Sequence, residues 1–186
     1  MTKYSTLKPK MLLHACCANC AAYPLSLLGD NFDITLFYYN PNIYPEKEYL
    51  RRLKDIKKLS EISGTALIIG KYESVKWFEA ARHLAGEPEG GKRCRICFDM
   101  RLKETAAIAK DRCLDIFATT LSVSPHKGSK TINEVGASIS DKTGIDFYCA
   151  NLKKKDGFKK TMKISRKYGF YHQNYCGCIY SIRKAD

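Results

Sequence analysis

The feature that most narrows the fold of this 186-residue chain is an alternation of two periodicities. Five short runs rich in β-branched, aromatic and apolar residues read as strands: MLLHA (11–15), DITLFYYN (33–40), TALIIG (65–70), DIFATTLSVSP (115–125, ending in a polar loop) and DFYCAN (146–151). Between them lie stretches with helical spacing. CCANCAAYPLSLLGDN closes at Gly29, PEKEYLRRLKDIKKLSEISG spaces Tyr49, Leu53, Ile56 and Leu59 before Gly64, and SVKWFEAARHLAG sets Val75, Phe78 and Leu84 on one side. CRICFDMRLKETAAIAKDR and INEVGASISDKTG are helical too, and the segment from Lys153 to Lys167 spaces Phe158, Met162 and Ser165 in the same way. Strands joined by helices of ten or more residues pair in parallel. The expected fold is therefore α/β: a Rossmann-like, doubly wound, mostly parallel sheet. With 45% hydrophobic residues the chain can bury one core and is short for two, so 1–186 reads as a single domain. No apolar run approaches the roughly 20 residues of a membrane span. The basic start MTKYSTLKPK leads into an apolar stretch of only about five residues before His14, a poor export signal, which places the protein in the cytoplasm.

Nine cysteines in such a compartment are thiols, so metal binding or redox chemistry explains them better than a disulfide scaffold. Cys113 and Cys149 stand alone beside apolar segments and read as structural. The other seven come in three groups: Cys16, Cys17 and Cys20; Cys94 and Cys97; Cys176 and Cys178. A C-x-x-C pair brings two thiolates close enough for one metal or two corners of a cluster. Zinc held by four thiolates fits this spacing. However, the two pairs lie about 75 residues apart rather than in one short module, and the adjacent Cys16 and Cys17 suit a cubane cluster or two metal centres better. Cys176-Gly177-Cys178 differs in kind, because a C-x-C pair closes into a strained, labile disulfide. It reads as a two-electron shuttle or as further metal ligands.

Charge points to a polyanionic partner. The chain carries 32 Lys and Arg against 19 Asp and Glu, a formal +13. Residues 151–186 hold ten of the basic residues and two Asp: Lys153, Lys154, Lys155, Lys159, Lys160, Lys163, Arg166, Lys167, Arg183 and Lys184. RRLKDIKK (51–58) adds five more. In doubly wound sheets ligands bind beyond the carboxyl ends of the strands, and HACCANC, NPNIYP and TTLSVSPHK fall there.

HACCANC, NPNIYP followed by Glu48 and Tyr49, RCRICFDMRL, TTLSVSPHK and QNYCGCIYS occur in this order along nearly the whole chain. Together they resemble epoxyqueuosine reductase of the QueH type. The resemblance implies a fold of the HUP/PP-loop group, a 4Fe-4S cluster, no cobalamin, and reductive removal of the epoxide oxygen of epoxyqueuosine at the tRNA wobble position. The SGGxDS-like phosphate loop of ATP-using PP-loop enzymes is absent after strand one, where the cysteine motif stands instead. Carried over by motif, Cys16, Cys17, Cys94 and Cys97 are cluster ligands, and Cys176 and Cys178 a redox-active pair. Cys20 and Asp99 have no assigned place. Asp99, two positions after Cys97, is a candidate oxygen ligand for the cluster or for a second, mononuclear iron, with an ion pair to a neighbouring Arg as the alternative.

Turning an allylic epoxide into an alkene takes two electrons, an acid for the leaving oxygen, and loss of water. His126, Asp99 and Tyr175 are the candidate proton donors. Tyr38, Tyr39, Asn40 and Tyr44 after strand two, with Ser122, Ser124 and Lys127 after strand four, are candidates for substrate contact, the tyrosines through stacking on an extruded base, with core packing the equal alternative for Tyr38 and Tyr39. Lys153, Lys154, Lys155, Lys159, Lys160, Lys163, Arg166 and Lys167 are candidates for the tRNA backbone, and an electron donor is a further partner. Two other functions use the same residues: a sulfur-transfer enzyme of tRNA thiolation, and a zinc-stabilised RNA-binding module.

Overall fold

The computed structural model describes residues 7–182. Five parallel strands form one sheet in the order β3-β2-β1-β4-β5. They are β1 (Lys10–His14), β2 (Asp33–Tyr38), β3 (Ala66–Ile69), β4 (Ile116–Thr119) and β5 (Asp146–Phe147). The helices are α1 (Ala18–Leu28), α2 (Glu46–Ser63), α3 (Ser74–Ala81), α4 (Lys92–Asp111), α5 (Ser129–Thr143) and α6 (Gly157–Tyr168). The order reverses at β1, whose neighbours are β2 on one side and β4 on the other. The expected doubly wound parallel sheet is the one observed.

Alternation along β1 builds two cores. Met11 and Leu13 face a layer completed by Ala21, Leu25, Leu36 and Ile56, on the side of α1 and α2. Leu12 faces the opposite layer, with Phe37, Leu102, Phe117 and Val135, on the side of α4 and α5. A strand buried on both faces must be apolar at every position, which is why MLLH reads as a continuous run rather than an alternating one. Among the described residues no helix is long and apolar enough to cross a membrane.

The strands stop short of their expected carboxyl ends. The run 115–125 forms a strand only to Thr119 and then a 3-10 turn over Thr120–Val123, and the run 33–40 leaves the sheet after Tyr38. The residues beyond belong to loops at the site. Helix faces shift as well. In α3 the buried residues are Trp77 and Ala81, while Val75 is 69% exposed, because the helix leans on α4 through the i, i+4 pair. In α6 the buried stripe is Gly157, Thr161 and Ser165, which turns Phe158 outward. Gly157 sets this rotation. A Cβ there would lie 1.8 Å from the Leu152 carbonyl oxygen, so only glycine lets the helix start so close to that strand of backbone. Cys113 and Cys149, read as structural, are both exposed.

Candidate active site

The thiols gather where the strand order reverses. β1 ends at His14, and the chain turns into α1 through Cys16 and Cys17. Cys17 caps the helix: its sulfur accepts from the Cys20 amide at 3.4 Å. That cap places Cys16, Cys17 and Cys20 with their sulfurs all within 4.8 Å of one another, each buried. The positive end of the α1 dipole faces Cys17, an arrangement that favours anionic sulfur. The three share charge unequally. Hydrogen bonds from Cys17 and Cys20, helped by Lys127 and Arg101, hold the Cys16 thiol well below its ordinary range. Donating to Cys16 in turn pushes Cys17 up to about 12, and donating to Cys16 and Cys17 holds the Cys20 thiol well above its ordinary range. Gln173 Nε2 donates to Cys17 Sγ at 3.0 Å.

His14 is the strut beneath this loop. It is fully buried, with Nδ1 2.9 Å from Thr119 Oγ1 on β4 and Nε2 3.0 Å from the Tyr39 carbonyl. The carbonyl can only accept, which assigns the proton to Nε2. Burial lowers the pKa to about 3, so the ring is neutral and ties three strand ends together.

A second group of thiols faces a small cavity beside the first. Cys94 and Cys97 from the first turns of α4, with Cys176 and Cys178 from the C-terminal segment, line it together with Trp77 and Arg101. Cys94 also packs against the layer that holds Cys16, Cys17 and Cys20. Arg101, one turn after Cys97, is buried and donates to Cys97 Sγ at 3.1 Å, to the Cys97 carbonyl at 3.2 Å and to Asn40 Oδ1 at 3.3 Å. Burial raises the Cys97 thiol to about 12 and Cys178 to about 11. The Trp77 indole N–H is buried here without a partner, and such a donor commonly awaits a group bound beside it. None of the nine cysteines is in a disulfide.

The segment carrying Cys176 and Cys178 is held by α2. Arg52, 2% exposed, pairs with Glu48 at 2.7 Å and donates to the carbonyls of Tyr175 at 3.1 Å and Cys176 at 3.2 Å. Asp55 accepts from the Tyr171 amide at 2.6 Å, and Arg51 lies 3.5 Å from the Tyr171 ring centroid. Gly177, at φ 102, passes so close to Ile43 that a Cβ would stand 2.8 Å from its side chain. Within the basic block at 51–58, Arg52 is buried and docks the tail, whereas Arg51, Lys54, Lys57 and Lys58 are exposed, Lys58 also donating to the Tyr168 carbonyl at 2.7 Å. Arg183 and Lys184, counted in the sequence among the basic residues of the tail, lie outside the described residues.

The structure separates the candidate residues. Cys20 joins Cys16 and Cys17 directly, whereas Cys94 and Cys97 face the group from α4 and are not in the same tight set. Asp99 is not brought to the thiols. Two positions past Cys97 on a helix, it points to the opposite side, where it pairs with Lys103 at 2.7 Å and faces α5. Tyr38 and Tyr39 offer no face to a base. Both are buried in the core, with hydroxyls donating to the Tyr49 carbonyl at 3.0 Å and to Glu73 at 2.7 Å. Asn40 is a fully buried brace that donates to the Ala15 carbonyl at 3.0 Å, and Ser122 accepts from the Leu152 amide at 3.4 Å. Tyr44 is 40% exposed and packs edge-to-face with Phe78, ring centroids 5.4 Å apart. Ser124, His126 and Lys127 line a cleft of about 170 Å³ with Cys20, Tyr175 and Cys176. Tyr175 spends its hydroxyl on the Tyr44 carbonyl at 2.6 Å, and burial pushes its pKa up to about 12.

Of the basic candidates, Lys153 is half-buried and donates to the carbonyls of Ser124 and Lys127, at 3.3 and 2.6 Å, so it fastens the loop after β4. Lys154, Lys155, Lys159, Lys160, Lys163, Arg166 and Lys167 are exposed. Arg52, Arg101, Gln173 and Trp77 were not singled out by sequence. A buried charge is recognised only once its partners are known, although Arg52 at i+4 from Glu48 and Arg101 at i+4 from Cys97 are spacings that pattern reading can flag.

Fold and site together define a doubly wound α/β protein that carries a cluster of thiols in the turn after its first strand, at the point where the strand order reverses. The family model of epoxyqueuosine reductase QueH matches residues 11–184. The chain belongs to the epoxyqueuosine reductase QueH family. The Epoxyqueuosine reductase QueH of Acinetobacter baylyi is 38% identical over 179 residues, 95% of this chain and 82% of that protein. That of Streptococcus pyogenes is 36% identical over 184 residues, 96% of this chain and 72% of that protein. That of Thermotoga maritima is 35% identical over 178 residues, 92% and 90% respectively. Among solved structures, the U34-tRNA thiolase NcsA from Methanococcus maripaludis with its [4Fe-4S] cluster superposes with a TM-score of 0.61 at 12% identity, covering 96% of this chain and 63% of that one. A predicted subunit of tRNA methyltransferase from Methanocaldococcus jannaschii gives 0.56 at 14% identity, covering 84% and 76%. At such identities the likeness is one of fold.

Proposed function

We propose that this chain, an oxidoreductase by its family, removes the epoxide oxygen of epoxyqueuosine in the tRNA anticodon at the thiol-lined end of its sheet, yielding queuosine. The observation that carries the reading is the gathering of seven cysteines from three distant segments at the switch point, three of them within 4.8 Å of one another. Soft thiols in that number, five of them buried, fit an iron-sulfur cluster. Cys16 and Cys17 with Cys94 and Cys97 are the residues to hold a 4Fe-4S cluster, Cys20 being the spare thiol beside them. When bound, the cluster supplies electrons one at a time. Asp99, turned away to Lys103, is not a ligand in this scheme.

The reaction consumes two electrons and two protons and releases water. Cys176 and Cys178 match that demand: closing their disulfide gives up two electrons and two protons, and a low-potential donor outside this chain restores the dithiol. Gln173, Arg101 and the Cys20 amide hold the sulfurs of Cys17 and Cys97 by donated hydrogen bonds and so fix the electrostatics of the site. His126, exposed at the cleft beside Cys20 and Cys176, is the side chain placed to deliver a proton to the leaving oxygen. Tyr175 is not, because its hydroxyl is already engaged. The outer face of α6 supplies phosphate contacts through Lys159, Lys163, Arg166 and their neighbours.

Anaerobic purification with iron, sulfide and zinc assays tests the site. About four irons and four sulfides per chain are expected, falling sharply in Cys17→Ala. Reduced protein should convert epoxyqueuosine-containing tRNA to queuosine. Stoichiometric zinc without iron, or full turnover by Cys17→Ala, overturns the reading.

A further inference from the structure

We propose that Phe158 is a stacking platform for a nucleobase of the single-stranded RNA next to the reacting nucleotide, at the point where a basic track along α6 meets the thiol-lined cleft. This rests on the reading that the substrate is carried in tRNA. Single exposed apolar side chains are ordinary on protein surfaces. Phe158 differs in where it stands and in what holds it there.

It lines two concavities at once. One is the cleft of about 170 Å³ that contains Cys20, His126, Tyr175 and Cys176. The other is an open groove of about 440 Å³ formed by Phe158, Lys159, Met162, Lys163 and Arg166. The cleft is well below the 300 to 1,000 Å³ of sites that enclose a whole drug-sized ligand. It therefore takes part of one nucleotide, and the neighbouring base must lie at its rim. Two aromatic side chains line the cleft, Tyr175, whose hydroxyl is bound to the Tyr44 carbonyl, and Phe158, 39% exposed, which is the one that also lines the groove.

The exposure is imposed by packing on the other side of α6. Gly157 is pressed against the Leu152 carbonyl, Thr161 Oγ1 accepts from the Tyr23 amide at 3.4 Å, and Ser165 Oγ bonds Asn19 Oδ1. These contacts lie four residues apart and fix the rotation of the helix against α1. Phe158, Met162 and Arg166, each one position further on, consequently form the outer stripe, with Lys159 and Lys163 beside it. Lys159 pairs with Asp156 at 3.4 Å. Among the described residues neither Lys163 nor Arg166 has an acidic partner, so both charges remain available to phosphate. An aromatic ring set in a cationic groove is the arrangement by which proteins hold single-stranded nucleic acid, the ring stacking on a base while the cations follow the backbone.

The test is binding of a fluorescein-labelled tRNA anticodon stem-loop to the full chain, by anisotropy across a salt series. Phe158→Ala should weaken binding about 5- to 150-fold, the span of one lost base stack, with the slope of log K against log salt unchanged. Phe158→Trp should bind like the wild type, and Phe158→Leu, which keeps the apolar bulk without the π-face, should resemble Phe158→Ala. Lys163→Ala and Arg166→Ala should each flatten the salt slope by about 0.7. Melting temperatures of the Phe158 variants should match the wild type, since the side chain packs no core. Binding by Phe158→Ala within twofold of the wild type overturns the inference, as does full binding by Phe158→Leu. In either case wild-type binding and turnover leave the reductase reading standing. A wild-type chain that neither binds the stem-loop nor reduces the tRNA overturns both.

Discussion

Replacing Arg52 with methionine removes the cation that joins α2 to the redox segment. Its side chain is 2% exposed and that of Glu48 is 9% exposed, so the substitution leaves a carboxylate buried without its partner. Breaking a buried pair from one side costs about 3 to 5 kcal/mol. For a chain of this length that lowers Tm by roughly 6 to 20 °C, at about 2 to 4 °C per kcal/mol. A second effect is local. The carbonyls of Tyr175 and Cys176 lose donors at 3.1 and 3.2 Å, and solvating them requires the segment to lift off α2. Two measurements on metal-free protein separate the effects: thermal melting, and the rate at which Cys176 reacts with a maleimide under native conditions. The double variant Arg52→Met with Glu48→Leu should regain most of the lost Tm, because an apolar pair replaces the ion pair. Its Cys176 should still label faster than in the wild type. Arg52→Lys keeps the charge but not the fork that spans both carbonyls, so it should show fast labelling with a smaller loss of Tm. An Arg52→Met protein that melts within about 2 °C of the wild type, or labels Cys176 at the wild-type rate, refutes the reasoning.

Three further outcomes are expected. Burial holds the Cys178 thiol at about 11, so its alkylation in metal-free protein should be slow at pH 8 and rise roughly tenfold per pH unit towards pH 11, while the exposed Cys113 and Cys149 label readily at pH 8; fast labelling of Cys178 at pH 8 contradicts its placement. Asp99→Asn removes an exposed ion pair worth under about 1 kcal/mol and should leave bound iron unchanged, so a loss of iron would return Asp99 to the metal site. Lys153→Met should leave the salt slope of RNA binding unaltered and instead loosen residues 124–127, read as faster amide exchange, because its ammonium is spent on two backbone carbonyls.

Much of this protein was legible in its sequence. Apolar runs of four to six residues between helical segments are sufficient for a parallel sheet, and parallel strands send their carboxyl-end loops to one edge. HACCANC, C-x-x-C and C-x-C marked in the sequence the seven thiols that the fold gathers at that edge. Sequence alone also identified the basic character of α6. Periodicity did not give the phase of its helices. A hydrophobic count assigns Phe158 to the buried side of α6, yet the close approach to α1 demands small residues, and Gly157, Thr161 and Ser165 take that face. Likewise position left Tyr38 and Tyr39 open between base stacking and core packing, and the structure makes them core, since β2 is covered on both faces.

The tertiary structure alone decided which thiols are neighbours and what each charge does. Cys20 falls in with Cys16 and Cys17 because Cys17 caps α1 and the first helical turn brings position 20 back over it. Asp99 falls away because two residues on a helix are about 200° apart. Beyond the i, i+4 spacings of Arg52 to Glu48 and Arg101 to Cys97, nothing in the sequence separates Arg52, Arg101 and Lys153 from the lysines and arginines that face solvent. Arg52 reaches a backbone carbonyl 124 residues away, Arg101 the Asn40 side chain 61 residues away and Lys153 two carbonyls 29 and 26 residues away, and only the folded chain brings such partners within reach.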